Sequence, residues 1–241
     1  MRASAEFQAR VCRLLVGRTC RVKRFVICGA DVWAPDPLHQ LIHRINPDAE
    51  ILYVEPDIVM AHRARQAFFK EQLRPSRFVE VVYADVFSPT FMRDLRELML
   101  LDAPDVEPIG LVLCSTLPFI PPEPHLSAKD IVARITKNLF DRSFVSLDSF
   151  CIPPVDAAAR LAYRIQEAFC TGPLGTGVFL PESEVMDLFG ELSLVRPNTG
   201  MDLGKVVPCW QWYPQGPVKP HAMDPLVVGG LAHKGPPWPS W

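Results

Sequence analysis

Charge of one sign, long apolar runs and paired cysteines are all scarce in this chain, and each scarcity removes a class of function. Lys and Arg total 25 against 27 Asp and Glu, a formal net charge of −2. That balance offers no electrostatic case for nucleic acid, because phosphate recognition leans on a basic surface. No apolar run approaches the roughly 20 residues that cross a bilayer, so no membrane partner is expected. The seven cysteines stand at 12, 20, 28, 114, 151, 170 and 209, an odd count with no Cys-x-x-Cys pair. Cys28 and Cys114 close apolar runs, where a reduced thiol acts as a small hydrophobe; a reducing, cytoplasmic setting follows. No His, Cys and Asp grouping has metal-ligand spacing, so no metal is expected. A Gly-x-Ser-x-Gly elbow and a phosphate loop are missing as well.

What is present is a globular chain of 241 residues, 49% hydrophobic and 22% charged. That length suits one large domain, burying roughly 70% of the surface its unfolded chain exposes. Short apolar runs at 24–29, 50–55, 78–83, 109–115, 143–147 and 192–195 read as strands covered on both faces. Between them, helical periodicity predicts helices at 38–46, 57–73, 90–101, 127–140, 154–170 and 182–189. Asp57 and Ser127 are placed to cap two of these, and Pro154 to occupy the first turn of another. The β-α-β-α alternation predicts an α/β fold with a mostly parallel sheet and helices on both faces. Six arginines lie within residues 2–24, opposed by Glu6 alone. Such a leader can be a transit peptide. Here it runs straight into the first strand, and an amphipathic helix with Phe7, Val11, Leu14 and Leu15 on one face is the better reading. The run 205–213, with Val206, Val207, Trp210 and Trp212, predicts a last strand. Its short connection favours antiparallel pairing. The domain is thus expected to end at 213, leaving 214–241 as a Pro- and Gly-rich tail, disordered or loosely draped.

In an open α/β sheet the ligand lies beyond the C-terminal ends of the strands, where strand order switches. The first strand closes in Cys28-Gly29-Ala30-Asp31, where Gly29 allows a tight turn or close backbone approach to a ligand. Glu55 closes the second strand, placed to take the hydroxyls of a ribose. Asp57, after Pro56, suits the helix dipole instead. Asp85, followed by Val86, closes the third. It either accepts from an exocyclic amine, with its neighbour's N–H on a ring nitrogen, or only begins a turn. Asp148 closes the fifth strand, and His125 lies on the loop after the fourth. These two are the acid–base candidates. His39, His43 and His62 fall on predicted helices and read as packing or surface residues.

The stretch Ile45-Asn46-Pro47-Asp48-Ala49-Glu50-Ile51-Leu52-Tyr53-Val54-Glu55-Pro56-Asp57 is similar to the "VNPDARVVYVDNDP" segment of the actinobacterial DUF574 group of S-adenosylmethionine-dependent methyltransferases. Asp85 matches that family's "ADLRDP" aspartate, and 111–121 with Asp130-Ile131-Val132-Ala133-Arg134 resembles a later segment. The resemblance covers roughly residues 10–213. It implies a Rossmann-like class I methyltransferase fold, seven-stranded with an antiparallel last strand, and S-adenosylmethionine as cofactor. The cofactor set it implies is Cys28, Gly29, Ala30, Asp31, Glu55, Pro56, Asp85, Val86 and Ser115. Ile27 stands where the family's first motif carries an acid, Asp31 where it carries a second glycine, and Trp33 adds bulk beside it. Two functions follow. One is methyl transfer to a small molecule, in specialised metabolism. The other is the same fold without methyl transfer, as a cofactor-independent enzyme or a non-catalytic partner.

Overall fold

The apolar runs become strands and the periodic segments become helices in the computed structural model, which describes residues 2–29, 32–71, 79–99, 107–120, 127–173, 175–197, 204–213 and 224–236. In chain order the elements are α1 (Arg2–Val16), β1 (Arg24–Cys28), α2 (Leu38–Ile45), β2 (Glu50–Glu55), α3 (Ile58–Glu71), β3 (Val79–Tyr83), α4 (Phe91–Leu98) and β4 (Ile109–Leu113). Then come α5 (Ala128–Lys137), β5 (Phe144–Ile152), α6 (Asp156–Thr171), β6 (Leu180–Pro181), α7 (Glu182–Asp187), β7 (Ser193–Leu194), β8 (Val207–Pro208) and β9 (Val227–His233). Asp57 caps α3, its Oδ1 accepting from the N–H groups of Val59 and Met60 at 2.7 and 3.0 Å. Ser127 caps α5, its hydroxyl accepting from the Asp130 N–H at 3.1 Å. Pro154 is displaced from its expected place, because α6 begins only at Asp156 after Val155 in the cap position.

The sheet runs β3-β2-β1-β4-β5-β9-β7, with β6 and β8 pairing off that path. Strands β1 to β5 are mutually parallel, and β9 lies antiparallel between β5 and β7. Strand order reverses at β1, whose neighbours are β2 and β4, and that switch is where such sheets bind ligands. Two hydrophobic clusters cover the sheet. One joins α1, α2, α3 and α6 to Phe25, Ile27 and Phe144. The other joins α4, α5 and α7 to Val26, Cys28 and Val145. Alternate residues of one strand feed opposite clusters, as the pleat requires.

The end of the chain departs from expectation. The antiparallel strand is β9, not 205–213, and it lies beyond the expected boundary at 213. All seven of its residues are buried, paired from Phe144↔His233 to Phe150↔Val227. The run 205–213 supplies only β8 and a turn of 3-10 helix at Cys209–Gln211. Its buried Trp212 meets Phe7 edge-on, ring centroids 5.4 Å apart. Gly229 and Gly230 disguise the strand, since glycine reads as a turn. In the fold they are flat seats for rings. A Cβ on Gly229 would stand 2.8 Å from the Phe7 ring, and one on Gly230 3.0 Å from Phe189. Beyond β9, Lys234 Nζ donates to the carbonyls of Thr136, Lys137 and Leu139 at 3.0, 3.0 and 2.6 Å, closing the C-terminal end of α5. The remaining expected tail, 214–223 and 237–241, lies outside the described residues.

Candidate cofactor and substrate cavity

A cavity of about 430 Å³ opens at the C-terminal ends of β1 to β4, within the usual range for small-molecule sites. Of the sequence-derived residues, Cys28, Gly29, Pro56, Asp85, Val86 and Ser115 are on its wall. Glu55 is not, though it is flanked by the wall residues Val54 and Pro56. Its Oε1 accepts from the Asp57 N–H at 3.1 Å. Ala30, Asp31 and His125 lie outside the described residues. Trp33 is 45% exposed and off the wall.

The two loops at the floor are locked together. Gly29 has φ +77°, and a Cβ there would stand 2.6 Å from the Cys114 carbonyl oxygen and 2.7 Å from Thr116 Cγ2. Only glycine permits that approach. The Cys114 N–H donates to the Cys28 carbonyl at 2.8 Å, extending the β1–β4 pairing by one bond. Ser115 follows with φ 46°, a left-handed conformation that costs a non-glycine residue of order 1 kcal/mol or more. On the third loop, Asp85 Oδ1 accepts from the Phe87 N–H at 2.9 Å, which folds the turn so that Ala84, Val86 and Phe87 also face the cavity.

Asp148 is placed differently from expectation. It lies in the middle of β5, which runs on to Ile152, and it is 0% exposed behind the cavity wall. The strand outlasts its expected end because β9 continues to pair with it through Phe150. Three side chains serve its carboxylate. Ser4 donates to Oδ2 at 2.7 Å, Ser115 donates to the same oxygen and Gln8 donates to Oδ1. Ser146 in turn donates to Gln8 Oε1 at 2.9 Å. Burial raises the Asp148 pKa above the ordinary carboxylate range, and the bonds from Ser115, Gln8 and Ser4 oppose the rise. The network joins α1, the β4 loop and β5 into the cavity's back wall.

Ser4 and Gln8 escaped sequence reasoning because polar residues on an amphipathic helix read as its solvent face. The available signal was their i, i+4 spacing on the same side as Phe7 and Val11. Both are buried, at 7% and 1% exposure. The three helical histidines take packing and surface roles. His39 is buried with Nδ1 3.1 Å from the Tyr53 hydroxyl, and burial pushes its pKa down to about 4. His43 Nε2 lies 2.9 Å from the Ala49 carbonyl, and His62 pairs with Gln66 on the surface.

A cavity at the switch point, floored by a glycine turn and walled by the loops of four parallel strands, is the arrangement of a nucleoside-binding α/β domain. Compared with known families, the chain matches one described as S-adenosyl methyltransferase across residues 1–235. It belongs to that family. Among solved structures it is similar to a DUF574 family protein from Streptomyces avermitilis, at 19% identity and TM-score 0.74, covering 97% of this chain and 83% of that one. A methyltransferase candidate from Thermobifida fusca gives 23% identity, TM-score 0.73 and coverage of 96% and 80%. The geranyl diphosphate C-methyltransferase of Streptomyces coelicolor, solved with Mg2+, geranyl diphosphate and S-adenosyl-L-homocysteine, gives 13% and TM-score 0.52, over 95% and 77%. At these identities the likeness is one of fold, the class I methyltransferase sheet with its antiparallel strand inserted next to last. No curated protein matches the chain. Among the described residues no helix is long and apolar enough to cross a membrane.

Proposed function

We propose that this protein transfers a methyl group from S-adenosylmethionine to a small molecule, in specialised metabolism, within the cavity above the β1/β4 switch. The observation that carries the reading is the coincidence of six resemblance-derived residues on one cavity wall, Cys28, Gly29, Pro56, Asp85, Val86 and Ser115. The residues present fit the cofactor. Val54, Ala84, Val86 and Phe87 offer an apolar slot for a purine ring. No described residue donates to the second oxygen of Asp85, which suits it to an exocyclic amine. Glu55, between two wall residues at the end of β2, has its second oxygen available for ribose hydroxyls. Bound there, S-adenosylmethionine supplies an electrophilic methyl on a sulfonium.

The chain's own residues then act mainly by alignment, which alone supplies a large part of the acceleration in a two-substrate displacement. Gly29 brings backbone against the donor, Ser115 is held in its left-handed conformation by Asp148, and α1 closes the back against water. Asp148 has no surface in the cavity, so we assign it positioning rather than proton transfer. His125 is the acid–base candidate, and it is needed only where the acceptor must lose a proton.

The wall also bears on the substrate. The Streptomyces coelicolor relative is described with a diphosphate and Mg2+. Here the described wall residues include no Lys, Arg or His. Calorimetric titration tests the reading, with micromolar binding of S-adenosylmethionine and S-adenosylhomocysteine expected. Silence up to millimolar ligand overturns it. Glu55→Gln should keep the melting temperature and weaken binding by about 1–3 kcal/mol, the cost of losing a charged hydrogen-bond partner. One observation favours the second reading, the fold without methyl transfer. Ile27, at the motif's acidic position, is wholly buried in the hydrophobic cluster under α1, so no carboxylate reaches the cavity from β1. The same titration separates the two.

A further inference from the structure

We propose that the face of α1 turned to the cavity is the acceptor wall, and that it takes a flat, largely apolar molecule that is neutral or positively charged. This deepens the methyltransferase reading and rests on it, because the loops after β1 to β4 are there assigned to the donor.

Four residues of α1 line the cavity: Ser4, Ala5, Gln8 and Ala9. Their spacing of one, three and one residues makes a single stripe along the helix. Its two polar members are already engaged inside the protein. Ser4 donates to Asp148 at 2.7 Å, while Gln8 donates to Asp148 and accepts from Ser146 at 2.9 Å. A ligand that recruited either would leave a wholly buried carboxylate short of a donor, which is costly. What the stripe offers a ligand is therefore the methyl groups of Ala5 and Ala9, one turn apart. The same wall includes Ala34, Leu38 and Phe119, all apolar. Two alanines leave room where longer side chains would fill it, and a flat ring suits a cavity lined by small apolar groups and the Phe119 ring.

Charge narrows the class further. The ionisable carboxyl groups on the described wall are Asp36 and Asp85. Asp36 is paired with Arg44 at 2.7 Å, but both side chains are more than half exposed, so the pair is open to water and the wall keeps its acidic character. An anionic acceptor would meet the Asp85 and Asp36 carboxylates with no Lys, Arg or His on the described wall itself, Arg44 lying off it on the far side of Asp36. A neutral or cationic one meets an apolar track with a carboxylate at its rim.

The experiment uses four molecules sharing one ring: 1-naphthylmethylamine, 1-naphthalenemethanol, 1-naphthoate and 1-naphthyl phosphate. Each is titrated into the full-length protein, with and without saturating S-adenosylhomocysteine, by thermal shift and calorimetry. The amine and the alcohol should bind at least tenfold more tightly than the naphthoate, with the phosphate weakest. Ala5→Leu and Ala9→Leu should each weaken the amine tenfold or more and change S-adenosylhomocysteine affinity less than threefold. Asp36→Asn should narrow the gap between amine and naphthoate. The proposal is overturned if naphthoate or phosphate binds as well as the amine, if no ring probe binds, or if both leucine variants bind the amine normally. Should S-adenosylhomocysteine fail to bind while the charge preference holds, the methyltransferase reading falls and the wall's selectivity stands.

Discussion

The half of the sheet running β3-β2-β1-β4 and the half running β5-β9-β7 are built on different principles. In the first, every strand is parallel, every connection carries a helix and the strand ends splay into loops that enclose a cavity. In the second, β9 enters antiparallel and pairs with β5 on one side and β7 on the other, with Gly229 and Gly230 at its centre. The described cavity wall takes residues from the strand ends and connections of the first half and from α1, and none from β5, β9 or β7. The second half supports that wall from behind. Gly229 seats Phe7 of α1, and Asp148 holds Ser4 and Gln8 of the same helix. One half therefore presents chemistry, while the other fixes the helix that closes it.

The largest test removes the second half's centre. A chain ending at Tyr213 lacks β9 and leaves β5 and β7 without the strand between them, so cooperative unfolding should be lost in circular dichroism and calorimetry. A melting temperature within about 2–4 °C of the full chain, the size of a 1 kcal/mol change in a domain this large, would return the boundary to 213. A milder break is Gly229→Ala. Its new methyl meets the Phe7 ring at 2.8 Å and Cys209 Sγ at 3.0 Å, and should cost about 1–3 kcal/mol. Phe7→Leu should recover part of that loss in a double-mutant cycle, since the two sites touch. Simple addition of the two effects would mean that α1 does not rest on β9.

The same division governs what could be read from the sequence. The first half is legible because burial on both faces leaves continuous apolar runs: the apolar pattern marks Glu50–Glu55 to the residue, and β1, β3 and β4 within two. In the second half, the strand Val-Val-Gly-Gly-Leu-Ala-His owes its place to rings arriving from α1 and from Phe189, and local propensity carries no trace of them. The candidate site divides likewise. Gly29, Pro56, Asp85, Val86 and Ser115 follow strand ends, which periodicity locates. Ser4 and Gln8 reach the cavity through a helix whose docking face is set by tertiary contacts, and Asp148 reads as a strand end because its strand's continuation depends on β9.

Asp148 stands where the halves meet, and its titration sharpens the comparison. Burial raises its folded pKa above the unfolded one. Its stabilising contribution is therefore fully present below the ordinary carboxylate range and declines as pH rises through the folded value. Asparagine cannot ionise. The stability of the native chain relative to Asp148→Asn should consequently fall from about pH 4 upward, as measured by urea unfolding at several pH values. A difference that is flat with pH would show the carboxylate to be compensated fully by Ser4, Gln8 and Ser115.

The smallest effect concerns Lys234, a cation that joins the end of β9 to α5. Lys234 Nζ donates to three carbonyls at the end of α5, where helix carbonyls lack intrahelical partners and the dipole favours positive charge. The residue is half-buried, so water can take over part of the hydrogen bonding when the amine is removed. Lys234→Met keeps the apolar stem and should cost only about 0.3–1 kcal/mol, read by denaturant unfolding. Hydrogen exchange gives the sharper reading: amides in the last turn of α5 should exchange faster while those of β5 keep their protection. If β5 loses protection equally, Lys234 is holding the strand and not the helix, and the second half depends on its far end as much as on its glycine seats.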